Sequence, residues 1–257
     1  MNKLSRKSLA GLALLLSLCG PSAAFDPKYG PAEKPIAMPL SQDNAYFREP
    51  GRKAPDFWRL NSFYVPQYTE YACSAAAVSM ALNALLNTDR PRGDLDKNIT
   101  QADIVEKVPG EWQALLSPAG LEGRHGLSLA RLEAFMKAAF QFYSASKLSV
   151  EKHEAVAADE ATLKDFRDLL SENEKNPDDI IVVHFVQDDL TKAKGGPYPH
   201  ISPIGAYDEA RGRILVFDVD REWYEPYWVP VGDMLKAMAR ETKAFGHGGY
   251  VRVAKAS

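Results

Sequence analysis

Apolar and polar positions follow two rhythms along this chain. Up to Asp179 the rhythm is helical. Ala72–Leu86 sets Val78, Leu82, Leu85 and Leu86 at helical spacing and is apolar nearly all round, which predicts a buried helix closed by Asn87–Arg90 and Pro91. Thr100 has the form of an N-cap for a helix through Val105, with Asp103 at the third helical position. Ser128–Phe142 places Leu129, Leu132, Phe135, Met136 and Phe140 on one face, and Asp159–Leu170 does the same with Leu163, Phe166, Leu169 and Leu170. After Asp179 the rhythm is that of strands. Ile180–Phe185, His200–Tyr207, Ile214–Val219 and Gly249–Val253 are short apolar runs bounded by turn formers, with a short helix at Asp233–Arg240.

The connecting segments read differently. Phe25–Gly51 is rich in Pro, Gly and charge and predicts an extended arm, which we take as far as residue 58. Arg59–Tyr68 predicts a short extended piece, and Pro109–Gly126, Thr191–Pro199 and Asp208–Arg211 predict loops and a turn. Helices first and a mostly antiparallel sheet second is an α+β order. It predicts a helical lobe, a sheet lobe and a cleft between them.

The N-terminus changes the picture of where the chain works. Lys3, Arg6 and Lys7 precede the apolar run Leu9–Leu18, which is too short to span a bilayer comfortably. Ser22-Ala23-Ala24 then fits a small-residue cleavage site, so residues 1–24 read as a signal peptide and the mature chain as exported, to a bacterial periplasm. A lipoprotein anchored at Cys19 is the weaker alternative, because Leu18 is large for that signal. No membrane span is expected in the mature protein. Of 257 residues, 46% are hydrophobic and 25% charged, the balance of a globular protein, so residues 59–257 are read as one catalytic domain. Removing the three leader cations from the formal net charge of −3 leaves −6. With no basic cluster, nucleic acid is not an expected partner.

The two cysteines are Cys19 and Cys73, so the mature chain holds one thiol and no internal disulfide. Cys73 opens the first strong helix, where the positive end of the dipole favours a thiolate. Gln67 lies six residues upstream, an amide donor suited to an oxyanion. The plain alternative for Cys73 is a small buried hydrophobe. His200 stands at the mouth of a strand, and Asp218 follows eighteen residues later at the end of another. Pairing of those strands through Asp208–Gly212 brings the two near each other. An imidazole oriented by a carboxylate can take a thiol proton and return it to a leaving amine. The plain alternatives are a surface or capping histidine and a turn-forming aspartate. His184 reads as sheet-bound but within reach of the cleft, His125 as loop, and His153 and His247 as surface. No spacing of His, Cys or carboxylates suggests a metal site.

Taken together, Gln67, Cys73-Ser74-Ala75-Ala76, Leu82-Asn83-Ala84-Leu85, His200-Ile201-Ser202-Pro203-Ile204-Gly205-Ala206-Tyr207 and Phe217-Asp218-Val219 resemble the phytochelatin synthase family, in its short bacterial form, over Arg59–Val253. The resemblance implies a papain-like fold. It implies Cys73 as nucleophile, His200 as general base and acid, Asp218 as orienting carboxylate and Gln67 as oxyanion donor. By match to the segment Arg221–Pro230 it implies Arg221, Tyr224 and Trp228 at the substrate. The implied reaction is cleavage of the Cys–Gly bond of glutathione, with γ-Glu-Cys passed to water or to a second glutathione. No cofactor is required; cadmium or zinc enters as a glutathione thiolate complex. Glutathione and those complexes are the implied partners, and a homodimer is one option for assembly. Two positions depart from the family pattern: Ser74 and Pro199 each replace a glycine. The sequence shows no counterpart of the cysteine-rich extension of plant members, and short bacterial members resemble glutathione hydrolases. The competing readings are a general papain-like cysteine peptidase and a non-catalytic exported protein that binds metal thiolates.

Overall fold

The computed structural model describes residues 36–86, 97–143 and 148–255. The leader, Cys19 and the Ala24 cleavage site lie outside the described residues, as do the helix-closing residues Asn87–Arg90 and Pro91. The first described segment is not an extended arm. It forms a two-residue strand β1 (Met38–Pro39), a 3-10 turn at Ala45–Arg48 and helix α1 (Pro55–Asn61). Pro55 sits in the first helical turn, where a missing N–H is harmless. Tyr46 and Ala54 are buried, because the Tyr46 and Phe47 rings pack on Trp228. Arg59–Tyr68 likewise begins inside α1 rather than as an extended piece.

Helix α2 (Cys73–Leu86) is buried along nearly its whole length. Its interior Asn83 is satisfied by a clamp: the side-chain amide donates to Ile99 C=O at 2.8 Å and its carbonyl accepts from Ile99 N–H at 3.0 Å. A buried polar side chain so fully bonded fixes the neighbouring segment in register. Helix α3 (Gln101–Lys107) follows, opened by a Thr100–Asp103 capping box. One turn, α4 (Trp112–Leu115), interrupts the predicted long loop, and α5 (Leu129–Tyr143) comes next. The remaining elements are β2 (Leu148–Glu154), α6 (Glu160–Asn173, capped by Asp159), β3 (Asp179–Val186), α7 (Gln187–Thr191), β4 (Pro199–Asp208), β5 (Arg213–Val216), β6 (Tyr227–Pro230), α8 (Val231–Ala239) and β7 (Gly249–Lys255).

Among the described residues the seven strands form one sheet, β1-β6-β5-β4-β3-β7-β2, with every pairing antiparallel. Both faces are covered. Ile180 and Val182 of β3 join a core with α2 and α5; Ile181, Val183 and Phe185 join a second core with α6 and α8. A strand buried on both faces reads as a continuous apolar run, which is why β3 is plain in the sequence. The two outer strands come from the helix-rich half of the chain. β2 pairs with β7, fully buries only Val150, and carries Ser, Glu, Lys and His at every position but Leu148 and Val150, with no strand rhythm.

Two local features set the geometry around residue 218. The β4–β5 register shifts between Ile204 and Ala206, and a Cβ on Gly205 would lie 2.4 Å from the Phe217 ring. Glycine therefore lets Phe217 press against β4 directly before Asp218. Elsewhere, Asn173 donates to Asp56 at 3.0 Å and to Asp179 at 3.1 Å, joining α1, α6 and β3. Asp179 also pairs with Arg252, whereas the Asp56 Oδ1 has no partner.

Burial, reinforced by the nearby Asp179 charge, holds the Asp56 carboxyl well above the usual carboxylate range. A folded-state value above the unfolded one means that its stabilising contribution is complete below the ordinary carboxylate range and is lost as pH rises through the raised value. Asp56→Asn, which keeps the shape without the charge, should flatten this part of the stability–pH curve and raise stability at neutral pH. Urea unfolding of both proteins across the pH range measures it.

Candidate active site

Neighbouring antiparallel strands alternate in direction, so β3 ends, β4 begins, β5 ends and β6 begins at one edge of the sheet. Each contributes a polar side chain there. Gln187 follows β3 directly, His200 is the second residue of β4, Asp218 lies two residues past β5, and Tyr227 opens β6. Helix α2 packs against β4 and brings Cys73, its first residue, to the same edge.

His200 Nε2 lies 2.8 Å from Asp218 Oδ1, and the Cys73 side chain is close enough to the same ring to help raise its pKa. With one ring nitrogen on the carboxylate, the other is left for the sulfur. Asp218 is fully buried and takes three further donors: Asp220 N–H at 2.9 Å on Oδ1, and Gln187 Nε2 at 2.9 Å and Tyr227 O–H at 2.6 Å on Oδ2. Burial by itself would push the His200 imidazole down. The Asp218 carboxylate and the Cys73 side chain outweigh burial and hold His200 well above its ordinary value. Burial would likewise raise Asp218, but the His200 charge and its side-chain donors hold it below the usual carboxylate range. The arrangement is a buried imidazolium–carboxylate pair beside a thiol, the layout that nucleophilic acyl transfer requires.

These groups open on a cavity of about 790 Å³ whose lining includes Gln67, Cys73, His125, His184, His200 and Arg221. That size falls within the range of about 300–1,000 Å³ usual for small-molecule sites. Gln67 is held by its backbone N–H on Val219 C=O at 2.8 Å, one residue past Asp218. Gln101 steadies the same loop, donating to Pro66 C=O at 2.7 Å and accepting from Tyr68 N–H at 3.3 Å. The Gln67 side-chain carbonyl is buried without a partner, so it does not anchor the amide. Ser74, the first departure from the family pattern, is buried and its hydroxyl is unpartnered.

A phytochelatin synthase family profile matches residues 32–250 of this chain. The chain belongs to the phytochelatin synthase family. All the residues just described fall inside the matched span. Among its relatives, glutathione gamma-glutamylcysteinyltransferase 3 of Lotus japonicus is 27% identical over 202 residues, covering 77% of this chain and 37% of that protein. Glutathione gamma-glutamylcysteinyltransferase 1 of Arabidopsis thaliana is 25% identical over 189 residues, covering 71% and 33%; that of Triticum aestivum is 26% identical over 196 residues, covering 74% and 34%. The chain thus spans about a third of the length of the curated relatives it matches.

The residues that the family resemblance placed at the substrate separate in space. Arg221 is exposed on the cavity lining, donating to Tyr64 C=O at 3.2 Å with its guanidinium 4.4 Å above the Tyr64 ring. Tyr224 and Trp228 do not line the cavity. Tyr224 is buried and donates to Thr191 Oγ1 at 3.3 Å. Trp228 lies in the core with α1 and donates to Asp43 C=O at 2.9 Å. Strand parity explains the placement: Trp228 and Tyr227 point to opposite faces of β6, and it is Tyr227 that reaches Asp218.

Two polar residues of the site had no clear sequence signal, and a third, His184, is where the sequence reading put it, in the sheet and at the cleft. Gln187 and Tyr227 are recognisable only once the sheet places them beside Asp218. His184 lies inside the apolar run of β3 yet lines the cavity. Burial, helped by the His200 charge, lowers it to about 4, so it stays neutral where His200 is charged. His125, read as loop, also lines the cavity; it donates from Nδ1 to Ser117 C=O at 3.2 Å and stacks on Tyr71 with ring centroids 4.4 Å apart.

Breaking the buried pair should be costly. His200→Ala strands the Asp218 carboxylate, although three donors remain, and should remove about 2–3 kcal/mol of stability at pH 7. The pair's contribution is present above the ordinary carboxylate range and below the ordinary imidazole range. It is lost as pH falls through the lowered Asp218 value or rises through the raised His200 value. Urea unfolding of both proteins across pH should therefore show the difference narrowing at both extremes.

Proposed function

We propose that this chain is a cysteine-dependent acyl transferase or hydrolase that acts on glutathione. One observation carries the reading: a thiol beside an imidazole that is itself held by a buried carboxylate, at the wall of a cavity, in a chain of the phytochelatin synthase family. The names of its relatives point to glutathione as the donor.

The chemistry follows from the placement. The Cys73 thiolate attacks the carbonyl carbon of the Cys–Gly amide. Negative charge develops on the carbonyl oxygen, where the Gln67 amide and the Cys73 backbone N–H are the donors. The His200 imidazolium gives its proton to the glycine nitrogen as the C–N bond breaks, and glycine leaves. A γ-Glu-Cys thioester remains on Cys73. His200, now neutral, takes a proton from water or from the amine of a second glutathione as either attacks the thioester. The Cys73 thiolate is released, with γ-Glu-Cys or a lengthened peptide as product. Arg221, on the cavity lining, is suited to a substrate carboxylate through its two-pronged guanidinium.

No cofactor enters these steps. Cadmium or zinc belongs to the reading as substrate, bound to glutathione sulfur. Among the described residues no three His, Cys, Asp or Glu side chains gather as a metal cage, and no helix is long and apolar enough to cross a membrane. Export to a periplasm through the N-terminal leader is part of the proposal.

Incubation with glutathione should release glycine, followed by mass spectrometry together with the acyl product. Cys73→Ser should abolish turnover, and His200→Ala should lower it by about 10² to 10⁴-fold, the usual contribution of base catalysis. Near-normal turnover by Cys73→Ser would sink the nucleophile assignment. Release of glycine from peptides lacking a γ-glutamyl group, as fast as from glutathione, would favour a general peptidase instead.

A further inference from the structure

Asp218 offers His200 only one of its oxygens. Oδ1 accepts from His200 and from Asp220 N–H, while Oδ2 accepts from two buried side chains on different elements, Gln187 at the start of α7 at 2.9 Å and Tyr227 of β6 at 2.6 Å. We propose that Tyr227 and Gln187 are positioning residues that keep Asp218 ionised and turned toward His200. This rests on the catalytic reading of Cys73 and His200.

The terminal torsion of an aspartate is broad, so a carboxylate held on one oxygen alone is free to swing. Two donors on Oδ2, coming from the β3 and β6 sides of the carboxylate, stop that rotation. They also disfavour protonation, because a donor bonded to the charged form stabilises it. Tyr227 sits opposite Val216 in the β5–β6 register, and its ring is fully buried. It does not line the cavity, so it acts on the reaction only through Asp218. Gln187 borders the cavity and opens α7. Its backbone carbonyl accepts from Thr191 Oγ1 at 3.1 Å, and Thr191 in turn accepts from Tyr224. Tyr224, expected at the substrate, thus supports the turn that carries Gln187.

The chemical consequence is specific. Without these donors Asp218 protonates at a higher pH, and His200 loses its anionic partner at a mildly acidic pH that the intact site tolerates. A residue that merely packed the sheet would change melting temperature and leave that limb in place.

The test uses Tyr227→Phe, which keeps the ring, and Gln187→Met, which keeps the length. Each is followed by kcat and KM for glycine release from glutathione against pH, by the rate of iodoacetamide alkylation of Cys73 against pH, and by thermal unfolding. The expected result is a kcat about tenfold lower for each variant, the effect of one lost charge-assisted hydrogen bond. For Tyr227→Phe the KM should change by less than about twofold, as expected of a residue that binds no substrate. The acid limb of both profiles should move up by about one pH unit, which is a tenfold change in carboxylate protonation. An acid limb unmoved in both variants overturns the proposal, whatever the melting temperatures. If the intact protein releases no glycine from glutathione but Tyr227→Phe shifts the acid limb of alkylation, the positioning role stands and the glutathione reading falls.

Discussion

A fully buried carboxylate cannot be left bare, and much of this molecule is arranged around satisfying Asp218. Ionised in the interior without partners, such a group would unfold the protein or take up a proton. Its charged partner is His200, and the neutral donors come from a backbone N–H, an amide and a phenol. None of these is near Asp218 in sequence except Asp220 and Tyr227. The antiparallel order of β3, β4, β5 and β6 supplies the rest by bringing their alternating ends to one edge. The same edge receives the first residue of α2, so satisfying a buried charge and placing a thiol beside an imidazole share a single geometric solution.

Rigidity around that edge comes from the core that holds α1 and α2. Phe217 is wedged over Gly205, with Phe57 at 5.5 Å and Tyr64 at 5.1 Å between ring centroids, and Tyr64 donates from its hydroxyl to Asp218 C=O. Tyr64 also lies under Arg221, so the exposed guanidinium on the cavity lining and the buried carboxylate are tied to one side chain. The loop carrying Gln67 is pinned from both ends, by Val219 and by Gln101. In each case a neighbour of Asp218 or the start of α3 fixes a residue of the cleft, the condition under which a site holds its shape without a ligand.

The family assignment and the geometry speak to different questions. The matched span covers nearly all the described residues, whereas the chain spans about a third of its plant relatives' length. Membership therefore concerns the unit that holds Cys73, His200 and Asp218. The chain's own contacts show an unpartnered Ser74 hydroxyl next to Cys73 in sequence, a proline without an N–H before His200, and a tyrosine–glutamine pair on the far oxygen of Asp218.

By itself the sequence determined every element whose pattern is intrinsic to it. The buried helix α2, the Thr100–Asp103 cap, the amphipathic α5 and α6 and the apolar runs of β3, β4 and β5 were all legible, because burial on one or both faces writes a period into the residues. It also marked Cys73, His200 and Asp218 as the groups to watch, through a helix start, a strand mouth and a strand end. Tertiary structure alone decided what has no period. Residues 36–58 fold against Trp228 instead of extending, β2 is a polar edge strand, and Tyr227 rather than Trp228 faces Asp218 because one step along β6 reverses the face. Gln187 and Tyr227 are ordinary residues in the linear order. They gain their electrostatic roles only from what the sheet sets beside them, and such proximity between distant strands leaves no mark on local spacing.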